Sequence, residues 1–300
     1  MRFLLTCMLL AVLAVAPATA QAPEAPLSYR GKHVLVTGST DGLGREVARA
    51  LAAEGAHVIL HGRNAERGQA LVVEITKSGT GSARFIAAYF SSLPAVRAFA
   101  DRVARDYPKL DLLVNNAGIA FYEAPQRSAN ADGHELQFVV NYLAGWILVN
   151  RLKPNLVAAA PSRIINVASL SASPIDFEDV MLEKPDAHRR GYGQSKLAQV
   201  SMTNEIAGAF ARDGITMISL HPATLMDTTM VKGLGIPART TVNEGRDHVM
   251  GLIKAPTLQP GAFYVSGQVT PPADPQALDP EARARLIALS AELTGVPLAR

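Results

Sequence analysis

The apolar run His33-Val34-Leu35-Val36 passes directly into Thr37-Gly38-Ser39-Thr40-Asp41-Gly42-Leu43-Gly44, and a helical apolar pattern begins at once behind it. That succession leaves the backbone few options. A strand must end, the chain must turn within a few residues and a helix must start, so the glycines supply a tight turn and close approaches that side chains forbid. The first N–H groups of such a helix lack carbonyl partners and point outward, which suits an anion such as a pyrophosphate. Gly38, Ser39, Thr40, Gly42, Leu43 and Gly44 are therefore candidate dinucleotide contacts. A glycine cluster by itself reads as well as a plain loop; the strand before it and the helix after it give it this meaning.

The same alternation recurs downstream. Strand patterns fall at 33–36, 57–60, 84–87, 111–114, 163–167, 216–220 and 262–265. Between them, stretches such as 44–54, 95–106 and 192–211 bear apolar residues at helical spacing. The expectation is an α/β fold of Rossmann type, a doubly wound, seven-stranded parallel sheet with helices on both faces. Chemistry should then gather beyond the C-terminal strand ends.

The domain is expected over 31–272, with a C-terminal tail over 273–300 that contains a helix. Residues 1–20 combine Arg2, an apolar run from Phe3 to Val15 and Ala18-Thr19-Ala20, the layout of a signal peptide or of a membrane anchor, and 21–30 reads as a linker. Cleavage would make the protein exported, periplasmic or secreted; retention would anchor it through residues 3–20 with the domain facing the cytoplasm. The single Cys7 excludes an intrachain disulfide or a Cys-based zinc site, and the seven histidines show no metal spacing, so no metal is expected. A net charge of +3 without a Lys/Arg run gives no sign of nucleic-acid binding.

After the second strand comes Leu60-His61-Gly62-Arg63. NAD-preferring dinucleotide folds place a carboxylate here for the ribose 2'-hydroxyl, whereas an Arg accommodates a 2'-phosphate. Gly62 stands at the acidic position and Arg63 follows it, so NADP(H) is expected ahead of NAD. A solvated loop arginine is the other reading.

Tyr192-Gly193-Gln194-Ser195-Lys196 opens a helix, and its i,i+4 spacing puts phenol and ammonium on one face. With seven tyrosines and eight lysines in 300 residues, chance supplies about 0.2 such pairs, so placement rather than spacing gives the pair its weight. The cation is expected to lower the phenol from its ordinary pKa near ~10. Such a Tyr can give a proton to a carbonyl oxygen, or take one from an alcohol, while hydride moves to or from a nicotinamide.

Taken in order, these segments resemble the short-chain dehydrogenase/reductase family, with the TGxxxGxG spacing of its short subfamily, over about 32–267. Asn115-Asn116-Ala117-Gly118 matches the family's NNAG element, which implies that Asn115, Ala117 and Gly118 stabilise the sheet and border the cofactor. The resemblance makes Ser169, with Ser171 as runner-up, the serine that bonds the substrate oxygen. It makes Asn141 the asparagine that holds a helix and a relay water, although a structural role suits a buried Asn as well. His221-Pro222-Ala223-Thr224 resembles the Pro-Gly element beside the nicotinamide, with Ala223 in place of Gly; Pro222 and Thr224 become cofactor contacts, and Thr228 or Thr229 a carboxamide contact. His221 itself reads as a packed strand-end residue.

The phrases 132–135, 161–167 and 195–198 look most like the retinol-dehydrogenase-like branch, whose closing helix 279–295 also resembles. One departure is Tyr89, where the family usually has an Asp near the adenine. The segment between Ser169 and Tyr192, with Phe177, Met181 and Leu182, reads as a substrate-site lining or as a surface loop. The resemblance implies an enzyme acting on a small-molecule carbonyl or alcohol, and it is compatible with a homo-oligomer; a non-catalytic dinucleotide-binding protein of the same fold is the alternative.

Overall fold

The computed structural model describes residues 25–121 and 126–299. The proposed leader at 1–20 and residues 21–24 of the proposed linker lie outside the described residues. Strands β1 (His33–Val36), β2 (His57–Gly62), β3 (Ser82–Ala87), β4 (Leu112–Asn115), β5 (Ser162–Val167), β6 (Ile215–His221), β7 (Phe263–Val265) and β8 (Gln268–Val269) form one sheet in the order β3-β2-β1-β4-β5-β6-β7-β8. Helices are α1 (Gly42–Ala53), α2 (Ala65–Ser78), α3 (Leu93–Asp106), α4 (Leu136–Phe138), α5 (Ala144–Arg151), α6 (Lys153–Ala158), α7 (Gly191–Arg212), α8 (Thr229–Gly233), α9 (Val242–Lys254) and α10 (Pro280–Thr294).

The seven expected strands are all present and pair in parallel. An eighth, β8, folds back antiparallel on β7, with Tyr264 opposite Val269. It is two residues long and exposed, so it has no apolar pattern to announce it. The strand order reverses between β1 and β4, and this switch point is where a doubly wound sheet opens a crevice at its C-terminal edge.

Burial on both faces explains why the central strands read as continuous apolar runs. Val34 and Val36, Leu112 and Val114, and Ile218 and Leu220 point into one layer, shared with Leu51 of α1 and Val249 of α9. Their neighbours Leu35, Leu113 and Met217 point the other way, against α3, α5 and α7. This is the period-two alternation of a strand.

A buried cation ties the sheet to its second layer. Arg163 of β5 donates to the carbonyls of Leu252 (3.0 Å) and Ile253 (2.8 Å) in the last turn of α9 and to that of Pro256 (3.2 Å) just beyond it. A positive charge there complements the helix dipole and satisfies carbonyls that lack intrahelical partners. Among the described residues, no helix is long and apolar enough to cross a membrane.

The C-terminal segment belongs to the core. Trp146 of α5 donates its indole N–H to Val296 O at 2.9 Å, and Arg97 of α3 donates to Thr294 O at 2.9 Å. The Ser290 hydroxyl donates to Leu286 O, so the buried Tyr142 phenol donates to Ser290 Oγ at 2.6 Å. Trp146 is the only tryptophan of the chain and is fully covered. Removing residues 280–300 is therefore expected to red-shift the fluorescence and lower stability by at least about 3 kcal/mol, the scale of a lost large aromatic contact. Emission and urea melts of the truncated chain check this; an unshifted spectrum would show that α10 does not cover the ring.

Candidate active site

The turns leaving β1 and β4 are laced together. Thr37 Oγ1 donates to Val114 O and accepts from the N–H groups of Asn116 (2.9 Å) and Ala117 (3.0 Å). Asn116 Nδ2 donates to Thr37 O at 2.8 Å and Gly38 O at 3.2 Å. This contact leaves no room for side chains. Gly38 takes φ +64°, and a Cβ on it would sit 2.8 Å from Ala117 Cα; one on Gly44 would sit 2.3 Å from Gly38 O.

Helix α1 starts at this turn without an acidic residue in its first turn, and Asp41 caps it by accepting from Gly42 N–H. Asp41 also accepts from Thr229 Oγ1 at 2.8 Å, and Thr228 Oγ1 caps α8. Both hydroxyls considered for a carboxamide contact thus have partners within the chain. Ser39 anchors the turn to β2, its N–H donating to His61 O and its Oγ accepting from His61 N–H.

His61, which the strand pattern 57–60 leaves out and β2 includes, is central here. Gly38 N–H donates to its Nδ1 at 3.1 Å, which leaves the hydrogen on Nε2 to donate to Ala88 O at 3.2 Å. The ring stacks on Phe90 at 3.8 Å. Burial above all, with a smaller contribution from the nearby Arg63 charge, pushes its pKa down to about 3. No spacing motif signals such a residue. A Cβ on Gly62 would lie 2.6 Å from the Thr40 side chain, so Thr40 covers the position where a carboxylate is otherwise expected. Arg63 is exposed at the end of β2 and Tyr89, 59% exposed, follows β3.

A second group of residues gathers past β5 and β6. Ser169 follows β5, accepts from Ser171 N–H at 3.0 Å, and is hydrogen-bonded to the Tyr192 phenol. Ser171 contributes its backbone to this arrangement. Tyr192 and Lys196 stand on the opening turns of α7, with the ammonium 5.6 Å from the ring centroid. Lys196 Nζ donates to Val167 O at 2.8 Å and to Gln199 Oε1 at 3.0 Å.

The electrostatics differ from the expectation of a lowered phenol. Burial raises Tyr192 above its ordinary value, with only the Ser169 hydrogen bond opposing it, and burial lowers Lys196 to about 7. Desolvation penalises both charged forms, and here it outweighs their mutual attraction.

Asn141 lies in a π-helical turn, Val139–Leu143, between α4 and α5. The wider turn directs its amide at the β4 loop: Ile119 N–H donates to Oδ1 at 2.8 Å, while Nδ2 donates to Ile119 O (3.0 Å) and Ser195 Oγ (2.9 Å). It thereby fastens the Gly118 loop to α7. A Cβ on Gly118 would meet Asn141 Oδ1 at 3.4 Å and Lys196 Nζ at 3.7 Å. Asn115 faces inward instead, donating to Asn166 Oδ1 at 2.8 Å.

At the end of β6, Leu170 N–H donates to His221 Nδ1 at 3.3 Å, so Nε2–H donates to Thr224 Oγ1 at 3.0 Å. Burial chiefly, with the His248 and Lys196 charges, lowers His221 to about 4. Pro222 is buried beside it, and the left-handed residue of this segment is Leu225 (φ +51°). The segment between Ser169 and Tyr192 is packed down, with Ile175, Val180 and Leu182 buried and Val180 O accepting from Gln194. Among the described residues, no cluster of His, Cys, Asp and Glu is placed to hold a metal ion.

The sheet edge thus brings together two groups: the Gly38–Gly44 turn with Arg63, Ala117 and Gly118, and Ser169, Tyr192, Lys196 and Asn141 with Pro222 and Thr224. Residues 32–236 match the family model described as short chain dehydrogenase. The chain is 34% identical to human retinol dehydrogenase 13 over 288 residues, which cover 89% of this chain and 85% of that protein. Among solved structures, an uncharacterized protein of Mycobacterium paratuberculosis superposes with a TM-score of 0.75 at 26% identity, covering 92% of this chain and 98% of that one. An NADPH-bound carbonyl reductase from chicken fatty liver superposes with a TM-score of 0.65 at 25% identity, covering 80% and 99%.

The close approach at Gly44 makes a specific stability pattern expected. Gly44→Ala should destabilise the chain by about 1–3 kcal/mol through overpacking against Gly38 O. Gly208→Ala, in α7 with no neighbour within 4 Å, should stabilise it by about 0.5–1 kcal/mol. Denaturant midpoints of the two variants decide, and equal shifts would refute the packing argument.

Proposed function

The chain belongs to the short-chain dehydrogenase/reductase family, and from that premise we propose that it is an NADP(H)-dependent oxidoreductase interconverting a carbonyl and an alcohol, with Tyr192 as proton donor and acceptor. One observation carries this reading: Ser169 is bonded to the Tyr192 phenol, with the Lys196 ammonium on the same helix face.

The glycine turn, whose backbone admits close approach at the start of α1, fits the pyrophosphate of a dinucleotide. Arg63, beside a Gly62 covered by Thr40, fits a 2'-phosphate, and Pro222 and Thr224 would border the nicotinamide. The bound dinucleotide supplies or accepts the hydride. Ser169 Oγ holds the substrate oxygen against Tyr192. The phenol donates its proton to that oxygen in reduction and recovers one in oxidation, and Lys196 favours the phenolate electrostatically. Asn141 fixes the loop that carries Gly118.

Leu170, next to Ser169, and Met230 and Ile236, in the segment after β6, are exposed apolar side chains. With the name of the human relative, they support an apolar alcohol or aldehyde as the class to assay first. We further propose that residues 1–20 direct the chain to or across a membrane.

Tyr192→Phe should lower turnover of NADPH with an aldehyde and ketone panel by about 10²–10⁴-fold while leaving NADPH binding intact. Binding without turnover in the unmodified chain would instead favour a non-catalytic dinucleotide-binding protein. Arg63→Leu should raise the KM for NADPH by about 10–100-fold, the worth of a charge-assisted bond, and leave that for NADH little changed. Parallel loss with both cofactors would remove Arg63 from the 2'-phosphate.

A further inference from the structure

Among the described residues, Lys196 donates to two partners, one a main-chain carbonyl and the other the amide of Gln199. Gln199 lies one turn further along α7 and is buried. An ammonium has three donors; these bonds engage two and leave the third for the site. The turn bearing Gln199 is itself braced: Asn115 donates to Asn166 Oδ1, Asn166 donates to Thr203 Oγ1, and Thr203 donates to Gln199 O. A line of hydrogen bonds thus runs from β4 across β5 to the main-chain carbonyl of Gln199, the residue whose side-chain amide meets Lys196.

Burial works against the ammonium, and no carboxylate among the described residues offsets it. The titratable groups that face it are Tyr192 on its own helix and His221 at the end of β6. Neither supplies an anion at neutral pH while the phenol is protonated. The amide oxygen of Gln199 is a polar side-chain acceptor at the cation, and bonding to a charged form favours that form.

We propose that Gln199 is a positioning residue that fixes the orientation of the Lys196 amine and sustains its charge, an inference that rests on the role given to Lys196 above. An amide that merely packed the helix would leave the titration of Lys196 unmoved.

The test is an NMR titration of the full chain labelled at lysine ¹³Cε, with Lys196 assigned by its loss in Lys196→Arg. Gln199→Met keeps the shape and removes the acceptor, so the Lys196 midpoint should move down. Gln199→Glu keeps an acceptor and adds a charge, so the midpoint should move up by about 1 pH unit or more. The matching limb of the kcat/KM profile should move in the same directions. An unchanged midpoint in Gln199→Met, or movement of both variants in one direction, overturns the proposal; if Gln199→Glu does not fold, Gln199→Met decides alone. Because the titration needs neither cofactor nor substrate, it separates a failure here from a failure of the catalytic reading, which Tyr192→Phe addresses.

Discussion

The contact between the turns after β1 and β4 governs the rest of the sheet edge. Thr37 Oγ1 and Asn116 Nδ2 satisfy main-chain groups of both turns, so two loops that would otherwise splay apart close on each other. Buried main-chain groups left without partners cost free energy comparable to a lost hydrogen bond, which makes this lacing a requirement. With the turns closed, Gly38 touches Ala117 and Gly44 touches Gly38, and α1 begins with its free N–H groups at the switch point of the sheet. Position at this point comes from backbone contact, so the residues that enforce it are small or are amides.

Burial governs the group formed by Ser169, Tyr192 and Lys196. Tyr192 and Lys196 are drawn toward their neutral forms by the same low-dielectric surroundings that strengthen every interaction between them. Hydrogen bonds from Ser169 to the phenol, and to Val167 O and Gln199 Oε1 from the amine, oppose that tendency.

Much of this was legible in the sequence because the features are periodic or local. The seven parallel strands are buried on both faces and register as apolar runs, and the glycine turn and the Tyr-x-x-x-Lys helix are contiguous motifs. The missing pieces depend on distant contacts. Strand β8 is two exposed residues, His61 gains its role only when Gly38 and Ala88 arrive from other strands, and the π-helical turn at Asn141 is set by where Ile119 and Ser195 lie. The i,i+4 spacing of Tyr192 and Lys196 points to a phenol lowered by its lysine neighbour. Spacing measures proximity but not desolvation, and desolvation has the opposite sign.

His61 also gives physical sense to the departure at Tyr89. One imidazole spans the ends of three strands, accepting from Gly38 beyond β1, standing on β2 and donating to Ala88 beyond β3. A backbone N–H can only donate, so Nδ1 must lack a hydrogen and Nε2 must carry it; the tautomer is dictated by its neighbours. Burial and Arg63 keep the ring neutral, since protonation would place a second hydrogen against Gly38 N–H. The loop after β3 is thus tied to the glycine turn by an uncharged ring stacked on Phe90. A carboxylate at position 89 is not needed for that tie, and the exposed Tyr89 ring offers an aromatic face in its place.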